Sequence, residues 1–204
     1  FSVSTPITEP SDSLLIELTS FDADCFGAPT GSILGSVSGG TAPYDYLWSN
    51  GEITDDLANL TAGIYTLTVT DDNNCVASFS DTVKQPDGVI LSHIQTDILC
   101  FGDSTGSIDL NVQGGVSPYA YLWSTGDTTQ DISGIPAGTY DVDVFDNNNC
   151  LAERQIEIIE PLSSVSLSET HTDALCTGGS QGSIDLSVSG GTPGYSIVWN
   201  NNEI

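Results

Sequence analysis

The sequence predicts an all-β protein, a tandem array of small β-sandwich repeats of about 75 residues each. Three observations carry this. The stretch Gly39-Gly40-Thr41-Ala42-Pro43-Tyr44-Asp45-Tyr46-Leu47-Trp48-Ser49-Asn50-Gly51 returns at 114–126 and, more loosely, at 190–199, which places Trp48, Trp123 and Trp199 at spacings of 75 and 76. Apolar residues alternate with polar ones instead of following a helical period: Ile108, Leu110 and Val112 enclose Asp109 and Asn111, and Tyr44, Tyr46 and Trp48 share a face. Gly, Asn, Asp and Pro punctuate these runs at the intervals expected of short strands in a sandwich.

Taken in order, residues 1–10 end in Ile-Thr-Glu-Pro10, as later repeats close on Pro86 and Pro161, and read as the last strand of a preceding repeat. Repeat 1 then spans 11–86 and repeat 2 spans 87–161; 162–204 is a third repeat, cut shortly after Trp199. The junctions are only a few residues long, so neighbouring repeats should be closely coupled. Strands are expected in repeat 1 at 14–20, 31–38, 44–49, 53–58, 63–71 and 76–84, with equivalents in repeat 2. The segment 151–160 has a faintly helical pattern, but it aligns with 76–85 and is read as strand. The runs 59–65 and 134–140 resemble the corner between two strands of an immunoglobulin-like sandwich. There a buried Leu or Ile, a Gly turn and a Tyr hydroxyl bonded to backbone fix the crossing, and Gly63 and Gly138 would supply the unusual backbone. Six strands would put entry and exit at one end of a repeat and seven at opposite ends. The sequence leaves open whether 21–30 or 50–56 holds a further crossing.

Five cysteines follow the period, with Cys25, Cys100 and Cys176 in one series and Cys75 and Cys150 in the other. No CxxC spacing or recurring His accompanies them, which argues against zinc. Counting four strands between Cys25 and Cys75 returns both to one end of a repeat. The expected pairs are therefore Cys25–Cys75 and Cys100–Cys150, one intra-repeat disulfide per complete repeat, with Cys176 unpartnered. Each such bond is worth roughly 4 kcal/mol in the chain-entropy model. That is a large contribution for a repeat too small to bury a generous core.

The 28 acidic residues face only Lys84 and Arg154, giving a net charge of −26. This argues against nucleic acid or anionic lipid as a direct partner, because phosphate binding needs Lys and Arg. It favours solubility, repulsion between copies and divalent counterions. It also leaves trypsin-like proteases almost nothing to cut, which suits an exposed extracellular protein. No run reaches the ~18 to 20 apolar residues of a membrane helix, so no direct membrane insertion is expected in this segment. There is no Met, and the chain starts and stops inside repeats. It is expected to be an excerpt whose targeting or anchoring segments lie elsewhere.

The repeat unit resembles the SprB repeat of Bacteroidota surface proteins. The resemblance rests on Cys25, Gly31, Gly39, Gly40, Pro43, Tyr44, Trp48, Gly51, Ala62, Gly63, Tyr65, Asp71, Asn73, Cys75 and Pro86, and it covers essentially the whole chain. It holds closely in two repeats. The third departs from it at Gly194, where Pro is expected, and at Asn202, where Gly is expected. The resemblance implies a secreted cell-surface adhesin, in some cases serving gliding motility and exported by the type IX secretion machinery. Its partners would be neighbouring repeats, the secretion and motility machinery, and a surface polysaccharide or other extracellular ligand.

Several residues are candidates for sites. Asp22 and Asp97 precede the first cysteine of their repeats, and Asp71, Asp72 and Asp146 precede the second. With intra-repeat disulfides these oxygens would converge at one end, as a calcium site of six to eight oxygens requires. The alternative is that Asp and Asn there serve the left-handed backbone of a tight turn. Trp48, Trp123 and Trp199 could stack on sugars, but their phase along the strand places them in the core. Ser13, Thr82, Ser104 and Thr128 each follow an Asp in the short pattern of Bacteroidota O-glycosylation, which the family resemblance brings into play. Neither His93 nor His171 recurs and no nucleophile motif is present, so the chain is not expected to be an enzyme. The function expected from the sequence is therefore the extended repeat region of an adhesin. The rival readings are a purely structural stalk and a carbohydrate-binding array.

Overall fold

The structure is a computed structural model that describes residues 12–200. The strand expected within 1–10 and the last four residues lie outside the described region. The described chain divides into two compact units. The first comprises residues through Ile90 together with Gln113–Tyr119 and Phe145–Leu151; the second comprises Leu91–Val112, Ala120–Val144 and the residues from Ala152 on. The first unit thus takes in two stretches of the second sequence period, the Gly114-Gly115 turn and the loop that ends in Cys150.

Repeat 1 contains six strands: β1 (Leu15–Phe21), β2 (Gly31–Ser38), β3 (Tyr44–Trp48), β4 (Leu57–Leu60), β5 (Gly63–Asp71) and β6 (Val76–Val83). They form two three-stranded antiparallel sheets, ordered β1-β2-β4 and β3-β5-β6. Alternation gives each strand one inward face, and the sheets close on Ile33, Leu57 and Leu60 from the first and Trp48, Leu67, Val69 and Val83 from the second. The outer face of the second sheet is polar where the hydroxyls of Thr66 and Thr68 meet those of Ser80 and Ser78. Repeat 2 repeats the plan in β7 (Ile90–Thr96), β8 (Gly106–Gln113), β9 (Ala120–Trp123), β10 (Ile132–Ile135), β11 (Gly138–Phe145) and β12 (Leu151–Ile158). Its sheets are β10-β8-β7 and β12-β11-β9, around Ile108, Leu110, Trp123, Val142 and Ile158. The immunoglobulin-like sandwich and its repetition agree with the sequence reading, including the strand at 151–158.

The corner motif forms as expected at the tyrosines. The Tyr65 hydroxyl donates to the Thr61 carbonyl at 3.0 Å, and Tyr140 donates to that of Pro136 at 2.7 Å, beside buried Leu60 and Ile135. Of the two corner glycines, Gly138 has a positive φ (156°) and Gly63 does not; the left-handed backbone of the corner falls at Asn59 (φ 56°) and Gly134 (φ 70°), where β4 and β10 shift register against β2 and β8. The glycines that do need left-handed backbone here are Gly39 and Gly40 (φ 68° and 64°), repeated at Gly114 and Gly115. They fold the chain so tightly after β2 that a Cβ on Gly39 would stand 2.0 Å from the Ser13 carbonyl oxygen.

The largest departure from expectation lies between β3 and β4. A strand was expected at 53–58, but β4 spans Leu57–Leu60 and runs in the same direction as β3. The segment 49–56 turns at Gly51, whose N–H donates to the Trp48 carbonyl, and passes back beside β2, where Asp56 Oδ1 accepts the Gly35 N–H at 2.9 Å. This return supplies the extra crossing. Leu15, Tyr44 and Asp71 lie at one end of the repeat, and Phe21, Leu60 and Val83 at the other. The chain therefore enters and leaves repeat 1 at opposite ends.

Among the described residues the third repeat forms a hairpin, β13 (Ser166–Thr172) with β14 (Ser183–Ser189). Residues 190–200 hold no strand. In the complete repeats the strand bearing the tryptophan pairs with one that lies further along the chain, as β3 does with β5. Among the described residues of the third repeat there is no such partner strand.

The face assignment in the second sheet is open to a direct check. Leu67 is fully buried and pairs with Trp48, whereas Leu47, one residue before Trp48 and so on the opposite face, is half exposed. In urea unfolding, Leu67→Ala should lose about 2–5 kcal/mol. Leu47→Ala should stay within about 0.5 kcal/mol of the parent.

Candidate functional site

Where each cysteine lies follows from the opposite ends of the repeat. Cys25 follows β1, at the exit end, and its loop is held there because the Ala23 N–H donates to the Lys84 carbonyl at 2.8 Å. Asp22 Oδ1 accepts the Lys84 N–H at 2.8 Å, and the Gly27 N–H donates to Gln85 Oε1 at 2.8 Å. Cys75 precedes β6, at the entry end. The eight residues of β6 separate the two by roughly 20 Å or more, while a disulfide requires Cα atoms within ~7 Å. The expected Cys25–Cys75 and Cys100–Cys150 pairs do not form. The observed disulfide is Cys25–Cys150, with Cα atoms 5.6 Å apart. It joins the exit loop of repeat 1 to the entry loop of repeat 2 inside the first compact unit. The bond spans 125 residues, which the chain-entropy model values at about 5 kcal/mol. Cys75, Cys100 and Cys176 are free and exposed.

The loop that presents Cys150 is built on one buried carboxylate. Asp146 Oδ1 accepts the N–H groups of Asn148 and Cys150 at 2.8 and 2.9 Å, and Oδ2 accepts that of Val116 at 2.9 Å. Asn149 takes the left-handed backbone the turn needs (φ 60°). Asp71 does the same in repeat 1, accepting from Asn73, Cys75 and Thr41, with Asn74 left-handed at φ 62°. At Asp146, burial works against the charge, but the amides of Cys150, Val116 and Asn148 outweigh it and hold the carboxyl below the usual carboxylate range. At Asp71 the Cys75 amide leads, followed against burial by those of Thr41 and Asn73, and again the carboxyl is held low. Beside the disulfide, Asn148 Nδ2 donates to the Asp24 carbonyl at 2.8 Å. The Phe26 ring lies over Gly88, where a Cβ would stand 3.4 Å from it.

The acidic residues singled out in the sequence thus separate by end. Asp22 and Asp97 accept backbone N–H groups at the exit ends of their repeats, from Lys84 and from Ile159 at 3.1 Å. Asp71 and Asp146 serve the entry loops, and Asp72 is exposed beside Asp71. Convergence of these oxygens within a repeat, the premise of the calcium reading, does not occur. Among the described residues no group of three or more His, Cys, Asp or Glu side chains is arranged to hold a metal ion. Trp48 and Trp123 are buried, each with its indole N–H on a backbone carbonyl, so neither ring face is open to a sugar. Ser13, Thr82, Ser104 and Thr128 are all exposed. Sequence reasoning left open whether 21–30 or 50–56 holds a further crossing; the structure places it at 49–56, and the inter-repeat pairing that follows from it was missed. The recurring Asp-x-Asn-x-Cys run did signal the turn, but the amide-bound aspartate at its head was not foreseen.

Two measurements check this geometry. A carboxyl held low in the folded state stabilises fully above its unfolded pKa of about 3.9, and the stabilisation is lost as pH falls through the lower folded value. Asp146→Asn should therefore lower the thermal midpoint at neutral pH and flatten its decline below about pH 4. Asp72→Asn should leave the neutral midpoint unchanged. Non-reducing peptide mapping of the oxidised chain should recover Cys25 joined to Cys150, with Cys75 and Cys100 open to alkylation.

Comparison with known families places these features. The family model of the SprB repeat matches residues 18–52, 92–128 and 168–203, together more than half of the chain. Each match begins in the first strand of a repeat and runs past its tryptophan, so it covers the first cysteine and the Gly-Gly turn. No curated protein matches the chain. SprB repeats mark a repeat region of a cell-surface protein. No helix among the described residues is long and apolar enough to cross a membrane. With three copies of the repeat, two of them complete sandwiches joined by a disulfide, this chain belongs to the SprB-repeat family.

Proposed function

We propose that the chain lies within the repeat region of a secreted adhesin, serving attachment or gliding on surfaces. The observation that carries this reading is the Cys25–Cys150 bond, which ties one repeat to the next. A covalent tie across a junction resists pulling that would otherwise separate neighbouring small sandwiches, each with a modest core. The repeats present alternating polar and apolar side chains on their outer faces, including exposed Leu47, Ile64 and Val76 on the second sheet of repeat 1. A net charge of −26 keeps copies apart in solution. Exposure of Ser13, Thr82, Ser104 and Thr128 is consistent with O-glycans there, and a surface polysaccharide is the ligand class that fits the family. Burial of Trp48 and Trp123 favours, as a second reading, a structural tether whose recognition lies elsewhere.

Beads coated with the oxidised chain through a terminal tag would be held against polysaccharide-coated and bare glass under increasing flow. Adhesion predicts retention to higher shear than uncoated beads, and lower retention for Cys25→Ser. Retention equal to that of uncoated beads on every surface would leave the tether reading in its place.

A further inference from the structure

We propose that Cys100 and Cys75 are open halves of the same inter-repeat bond. Cys100 takes the entry-loop cysteine of a following complete SprB repeat, and Cys75 takes the exit-loop cysteine of a preceding one. The proposal rests on the equivalence of the loops and is independent of adhesion.

The Cys100 loop is built as the Cys25 loop is. The Ile98 N–H donates to the Ile159 carbonyl at 2.9 Å as Ala23 does to Lys84, and Asp97 accepts the Ile159 amide as Asp22 accepts that of Lys84. The Gly102 N–H donates to Glu160 Oε2 at 2.5 Å, as Gly27 does to Gln85. A turn closes from the Cys100 carbonyl to the Asp103 N–H, as one closes from Cys25 to Ala28. In its turn the Cys75 loop reproduces the backbone bonds of the Cys150 loop, from the amide-bound aspartate to the left-handed asparagine before the cysteine, while its Asn73 side chain turns to Thr41 where Asn148 reaches Asp24. Both halves are therefore shaped for the bond that Cys25 and Cys150 make, and both thiols are exposed. Cys75 and Cys100 belong to opposite series, but the observed bond joins an exit loop to the entry loop of the repeat that follows. Cys75 precedes Cys100 in that order, so the two are not each other's partners.

The chemistry requires an oxidant. Two thiols lose two protons and two electrons as the S–S bond forms, and a disulfide such as oxidised glutathione accepts them and is cleaved to two thiols.

The test supplies the missing half. In one variant, residues 124–161 replace 200–204 directly after Trp199, completing repeat 3 with the entry-loop cysteine of repeat 2. In a second, an additional copy of residues 87–161 is inserted between Pro161 and Leu162, so that only sequence already forming a complete sandwich is added. Each would be refolded in glutathione buffer, alkylated, cut with a protease that cleaves at acidic residues, and mapped by mass spectrometry. Trypsin would be of little use with only Lys84 and Arg154 to cut. The expected result is a Cys100 peptide bonded to an entry-loop peptide in one or both variants, alongside Cys25–Cys150, with Cys75 alkylated, and loss of that new pair when the added entry-loop cysteine is replaced by Ser. Cys100 found alkylated, or bonded to Cys75 or Cys176, in both variants would overturn the proposal.

Discussion

The indole N–H of Trp48 donates to the carbonyl of Thr54 at 2.8 Å, and much of the repeat follows from that bond. A tryptophan this deeply buried must satisfy its one donor. Here it does so by drawing the segment after β3 back across the end of the core. The same bond recurs from Trp123 to Thr129. Once the chain has doubled back, β4 must run parallel to β3 and pair with β2 in the other sheet. The corner at Tyr65 then sends β5 and β6 along the repeat so that the chain leaves from the end opposite its entry.

That reversal decides the covalent connectivity. The two cysteines of one repeat stand at opposite ends, and the exit cysteine of the first repeat meets the entry cysteine of the second. The entry loop is ready for this because its backbone amides are gathered by a buried aspartate, which fixes the cysteine without help from the disulfide. The same loop is formed around Asp71, where the cysteine is free, so the loop does not depend on the bond. The charges of Asp71 and Asp146 are structural ones, bound by amides, while the remaining acidic residues are mostly exposed to solvent.

The strands were legible because alternation over five to nine residues has no competing explanation at that length. The corner tyrosines were legible because a Tyr two residues after a Gly turn recurs with the period. The return segment was legible only as one of two places where a further crossing could lie, since 49–56 makes its bonds through turns and side chains and leaves no alternating trace. An error of one crossing in that segment reverses the end at which every later residue lies. It therefore carried the cysteine pairing and the supposed convergence of Asp22 with Asp71 along with it.

By itself the sequence determined that this protein is a repeated, all-β, strongly acidic chain with two cysteine series and a tryptophan in the core of each complete repeat, because period and alternation are local properties of the residues. It also carried the family, since the matching motif is written in consecutive positions. The tertiary structure alone decided which cysteine meets which, and that the aspartates serve amides at two separate ends. Those facts depend on the direction in which each strand crosses the sandwich, and that direction is reversed by the return of 49–56, which the Trp48 indole, the Gly51 turn and Asp56 hold in place and whose composition does not announce it.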